Sequence, residues 1–212
     1  FAYSDGLEVM RESDGKKFNA LKEMRLGDRM ISPFDWSAFA RSFDGGMLGY
    51  DDEWCNVTTS YTSPTQGGWD EDMYGTITDI SIATATVTAK KDSVLPQTEL
   101  AAFYYDYRDS RQVTQRVDNS GIGFSPDGVD IAISMLGGHA LGIYDVGPGQ
   151  FDVVAWGGAQ FGDWYGLDHQ AYAVDAEIGY QFTAVPWKPW LRMGYFLGSG
   201  DSDPTDGRHG TF

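Results

Sequence analysis

Basic residues are scarce in this chain: 15 Lys and Arg stand against 31 Asp and Glu, a formal net charge of −16. Affinity for nucleic acid depends on clustered Lys and Arg displacing counterions from phosphates, so that class of partner is excluded. Cysteine is nearly absent. Cys55 stands alone, which rules out an intrachain disulfide or a thiolate metal cluster within this chain. No apolar run approaches the roughly 18 residues that a membrane-crossing helix needs. The sequence opens on Phe1 without a charged n-region or an apolar h-region, as expected if a leader has been removed and the chain is a piece of something longer. The three histidines, His139, His169 and His209, form no His-x-x-x-His pair and have no Ser or Cys beside them in an elbow motif. Asp175 and Glu177 are a conceivable glycosidase pair, but they share their strand face with Ala and Gly, so no catalytic residue is assigned and the chain reads as a non-enzyme.

Glycine and aromatics, by contrast, are plentiful, at 27 residues and 15%, as suits a β-rich chain with many turns. Gln170 to Phe182 shows the clearest pattern. Tyr172, Val174, Ala176, Ile178, Tyr180 and Phe182 alternate with Ala171, Ala173, Asp175, Glu177, Gly179 and Gln181. After a turn around Pro186 to Pro189, Leu191, Met193, Tyr195 and Leu197 alternate with Trp190, Arg192, Gly194, Phe196 and Gly198. Further strands are expected at 43–50, 54–62, 77–89, 99–108, 128–138 and 150–160, with two weaker ones before Asp35, about ten in all. Residues 17–30 also suit a short helix through Ala20, Leu21 and Met24. Short turns at 51–53, around 90–97, at 145–149 and at 183–189 alternate with longer links at 63–75, 109–127 and 161–169. That is the connection pattern of an up-and-down membrane barrel.

Two environments give such strands. In a soluble or surface-attached β-sandwich the apolar face is the core, and exposed Trp and Tyr bind carbohydrate. In an all-β, antiparallel, up-and-down transmembrane β-barrel the apolar face meets lipid and the polar face lines a lumen. The sparse polar face and the cluster Tyr180, Phe182, Trp187 and Trp190 at one turn favour the barrel, in a single domain over 1–212. On this reading Asp106, Arg108, Asp130, Ser134, Asp152, Asp175, Glu177 and Arg192 point inward. Five acids then face two arginines, a ring that prefers cations, unless these charges merely pair across strands and stiffen the wall. Arg41 is either a wall residue paired with Asp44 or a lumen cation. Asp201, Asp203 and Asp206 beside Gly207 loosely suggest a calcium loop, though no Glu stands at the twelfth position; no other cofactor is expected.

Several motifs carry a family resemblance. Gly27-Asp28-Arg29, Asp35-Trp36 and Arg41-Ser42-Phe43-Asp44-Gly45 stand in order near the start, and Lys188-Pro189-Trp190-Leu191-Arg192-Met193-Gly194-Tyr195 leads into Gly198 to Phe212. Together they resemble the alginate-export family of porin-like outer-membrane barrels. The resemblance implies a larger barrel in a Gram-negative outer membrane, of which this segment is a part, passing polysaccharide or small solutes. It also implies contact with outer-membrane lipid and leaves room for periplasmic or outer-membrane assembly partners.

Overall fold

The computed structural model describes residues 16–26, 30–31, 42–67, 72, 74–111, 130–203 and 205–212. Among the described residues one helix, α1 (Lys16–Arg25), precedes the strands β1 (Phe43–Asp51), β2 (Cys55–Pro64), β3 (Ile80–Ala89), β4 (Thr98–Asp109), β5 (Ile131–Val146), β6 (Gly149–Trp164), β7 (Leu167–Gln181) and β8 (Trp190–Gly198), with a two-residue β9 (Arg208–His209). β1 to β8 pair with their sequence neighbours, all antiparallel, in one meander; β9 adds in parallel to β7. The described residues form one sheet, so no second sheet is present to make a sandwich. β1 and β8 are its two free edges among the described residues.

Directly opposed residues in an antiparallel ladder point to the same side, so the register sorts every side chain onto one of two faces. One face carries Asn56, Thr58, Ser60 and Thr62 of β2, Thr84, Thr86 and Thr88 of β3, Glu99, Phe103 and Asp109 of β4, Met135, His139 and Leu141 of β5, Asp152, Val154 and Trp156 of β6, Asp175 and Glu177 of β7, and Arg192 of β8. Much of it is buried. α1 lies on this inner face. Phe18, Leu21 and Leu26 pack with Phe103, Met135, Leu141, Val154, Trp156 and Ala173, and Phe212 packs against the same cluster. A 10-residue helix is too short to be stable alone, so these contacts hold it.

The other face is apolar and exposed. Leu48, Tyr61, Val87, Leu136, Tyr172, Val174, Ile178, Leu191, Met193 and Tyr195 all stand in the open, Leu48 at 77% and Met193 at 70%. Such an expanse is far larger than soluble proteins tolerate and matches a lipid-facing band. Tyrosines mark its lower edge and bond locally: Tyr144 Oη lies 2.6 Å from Thr98 Oγ1, and Tyr180 donates to the Val146 carbonyl at 2.8 Å. Between Tyr180 and Tyr172 the chain advances eight residues, about 26 Å along the strand, comparable with an outer-membrane hydrocarbon band. Val174 sits midway along β7 on this face. Val174→Arg is therefore expected to cost about 2–4 kcal/mol in urea-driven refolding into lipid vesicles, whereas a change within about 0.5 kcal/mol would place this face in water.

Residues 16–25 form a short helix, one of the two readings the sequence allowed, and the two weaker strands expected before Asp35 otherwise fall largely outside the described residues. β5 and β6 run to 16 residues each, because their Gly- and Ala-rich stretches keep the ladder while weakening the alternation of polarity. The expected long link at 161–169 is a tight turn at Tyr165 and Gly166, both with positive φ (50° and 82°), as a two-residue hairpin requires. The nine strands described stand against an expected ten. β2, β4 and β8 end at one end of the sheet, where β3 and β5 begin, and the turns at 52–54, 90–97, 147–148 and 182–189 lie at the other.

Candidate functional site

The densest polar cluster lies where β6, β7 and β8 run side by side. Asp152 opposes Gly179, Gly179 opposes Arg192, and Glu177 opposes Gly194. The glycines make the room. A Cβ on Gly179 would stand 2.6 Å from Asp152 Oδ1 and 2.7 Å from Trp190 Nε1, and one on Gly194 would stand 2.8 Å from Glu177 Cγ. Into that space Arg192 donates from Nη1 to Glu177 Oε2 at 2.8 Å and from Nη2 to Asp152 Oδ1. Trp190 Nε1 donates to Asp152 Oδ2 at 3.1 Å, and its ring centroid lies 4.6 Å from the Arg192 guanidinium. From above, Arg25 of α1 grips Glu177 through Nε at 3.0 and 2.8 Å and through Nη2. Lys17 Nζ donates to Gln150 Oε1 at 3.3 Å and approaches Asp152 Oδ2 at 3.9 Å.

A second network ties the same helix to the sheet farther along. Lys22 Nζ lies 2.9 Å from both Glu99 oxygens, with both side chains 2% exposed, and His139 Nε2 is 3.0 Å from Glu99 Oε1. At the loop end Arg111 pairs with buried Asp109 at 2.7 Å. The buried inner-face carboxylates are thus Glu99, Asp109, Asp152, Asp175 and Glu177. Lys17, Lys22, Arg25, Arg111 and Arg192 stand among them. Among the described residues the buried carboxylates of this face are matched in number by cations beside them.

Of the residues proposed from sequence, Asp152, Asp175, Glu177 and Arg192 come together on this face. Asp106, Arg108 and Ser134 do not: the register carries them to the opposite, outward side. There Arg108, with its side chain 52% exposed, holds Asp106 at 2.6 and 2.7 Å while Ser134 and Tyr104 donate to the same carboxylate. The inversion arises because Ile131, Ile133 and Met135 face inward, so apolarity there marks interior packing rather than lipid. Asp130 is exposed just ahead of β5, and Arg41 lies outside the described residues.

The acids suggested for calcium cap their own turns. Asp201 Oδ1 accepts from Asp203 N, Asp203 Oδ1 from Thr205 N and Oγ1, and Asp206 Oδ1 from Arg208 N. The Thr205 hydroxyl and amide hold the Asp203 carboxyl below the usual carboxylate range. Among the described residues no group of three or more His, Cys, Asp or Glu is arranged to hold a metal.

Sequence reasoning missed Trp190 as a site residue, although its parity with Arg192 puts it on this face. It also missed Glu99, and it missed Lys17, Lys22 and Arg25, which no strand pattern could reveal.

A family model described as Alginate export matches residues 20–212. The chain belongs to the alginate-export family. No curated protein and no solved structure matches it. Alginate export is a transport family of the outer membrane rather than a family of enzymes, and the all-β antiparallel sheet with its exposed apolar face agrees with that assignment.

Proposed function

We propose that this chain forms part of the wall of an outer-membrane channel that passes polysaccharide, with the ion-paired face toward the conducting path. The inversion of the sheet carries this reading: apolar side chains stand in the open on one side, while Asp152, Glu177 and Arg192 are enclosed on the other. A channel for a sugar polymer needs a polar wall that neither traps the cargo nor rejects it. Cations already neutralised by neighbouring carboxylates, with the indole of Trp190 among them, provide such a surface.

The test is ion conduction by the full-length protein in a planar bilayer, with polymer added on one side. Conductance with transient blocks by alginate supports an acidic cargo, and blocks by dextran alone point to a neutral one. Absence of conductance, together with a monodisperse protein in plain buffer, overturns the channel.

A further inference from the structure

His169 and His209 meet Nδ1 to Nδ1 at 2.8 Å, and both residues are buried. Gln160 Oε1 lies 3.1 Å from His169 Nε2, so with both rings neutral His169 donates from Nε2 to Gln160 and accepts at Nδ1 from His209 Nδ1. Trp164 stacks on the His209 ring at 4.8 Å and 8°.

This contact is the side-chain tie between the far part of the segment after β8 and β7. There the two-residue β9 pairs with Asp168 and His169, and Asp168 N donates to the Gly207 carbonyl at 3.2 Å; at the start of the segment Ser199 N donates to the Tyr172 carbonyl at 2.8 Å and Tyr172 N to Ser199 Oγ at 2.9 Å. The segment is closed at its base, where Ser199 Oγ donates to the Gly210 carbonyl at 2.7 Å and Phe212 N to the Ser199 carbonyl at 3.2 Å. Phe212 stands edge-on to Trp156, on the inner face.

We propose that the His169–His209 pair is a proton-operated latch: neutral, it holds segment 199–212 against the inner face at the loop end of the wall, and protonated on both rings it lets the segment go. The physical basis is a hydrogen bond with room for one proton. A second proton sets N–H against N–H at 2.8 Å and places two like charges in a buried site. The charged groups nearby are Asp168 on β7 and Asp201 in the segment itself, while β6 presents the uncharged Gln160 and Trp164. Burial pushes the His209 imidazole below the ordinary histidine value of about 6.5, with Asp201 pulling the other way. A base depressed in the docked state stabilises docking fully above its free value. That stability is lost as pH falls from about 6.5 toward the docked value. The effect on flow rests on the channel reading, whereas the latch does not.

Amide hydrogen exchange of the reconstituted full chain, corrected for intrinsic rates, tests the latch without any need for conduction. In the wild type, protection of 199–212 and of Asp168 is expected to drop at least about tenfold between pH 7.5 and pH 5.0. In His169→Gln/His209→Gln the ratio between the two pH values is expected to fall to about one. Equal protection at both pH values in the wild type overturns the proposal. So does a pH dependence that survives in the double variant, since that would assign the response to Asp168 or Asp201.

Discussion

Glu177→Ala is expected to turn the channel toward anions. Glu177 is the shared counterion of Arg25 and Arg192, which approach it from α1 and from β8. Without it Arg192 keeps only Asp152 and Trp190, and Arg25 loses its bidentate partner, so the cluster gains net positive charge where it was balanced. In a tenfold salt gradient the reversal potential should move toward the anion limit, and Glu177→Gln, which keeps the shape, should move it in the same direction. Stability should fall as well. Removing one partner of a buried ion pair costs up to 3–5 kcal/mol. Arg25, whose side chain is 40% exposed, recovers some hydration, so a loss of about 3 kcal/mol is expected in vesicle refolding. An unchanged reversal potential in both variants would mean that Glu177 does not face the ion path and that the conducting route lies elsewhere.

The asymmetry between what the sequence shows and what it hides has a physical origin. Period-two alternation is a local property, and β7 and β8 carry it cleanly because lipid demands apolar groups on one side and the cluster demands polar or small ones on the other. Orientation is less local. Ile80 and Ile82 on β3 and Ile131 on β5 face inward, where they join interior packing, so an apolar stripe there does not identify the lipid side. The helix was only half legible for a related reason. Its sheet-facing stripe is Phe18, Leu21, Lys22 and the half-exposed Arg25, at the i, i+3, i+4, i+7 spacing of one face, but half of that stripe is basic, while the apolar Met24 is 58% exposed. The stripe reads as amphipathic only once Glu99 and Glu177 are seen beneath it. The sequence reading therefore found the acids without the partners that α1 brings to them.

Lys22→Glu should have the largest effect on conduction, because it acts on the element that fills the inner side. Lys22 and Glu99 are each 2% exposed at 2.9 Å, so the substitution sets two carboxylates together in a dry pocket. Like charges about 4 Å apart repel by about 4 kcal/mol at the effective dielectric of a protein site, and the attraction that held the helix is lost too. Against this, Phe18, Leu21 and Leu26 contribute roughly 1.5–3 kcal/mol each through burial. Without the pair, that packing alone is left to hold the helix, and α1 cannot persist as a free helix of its length. Residues 16–26 should therefore leave the wall, become open to protease in reconstituted protein, and raise single-channel conductance several-fold. Charge reversal supplies the control. Lys22→Glu/Glu99→Lys restores opposite charges across the same gap and should bring both protection and conductance back toward wild type. Wild-type conductance and protection in the single variant would show that apolar packing alone secures α1 and that the buried ion pair does not hold the path closed.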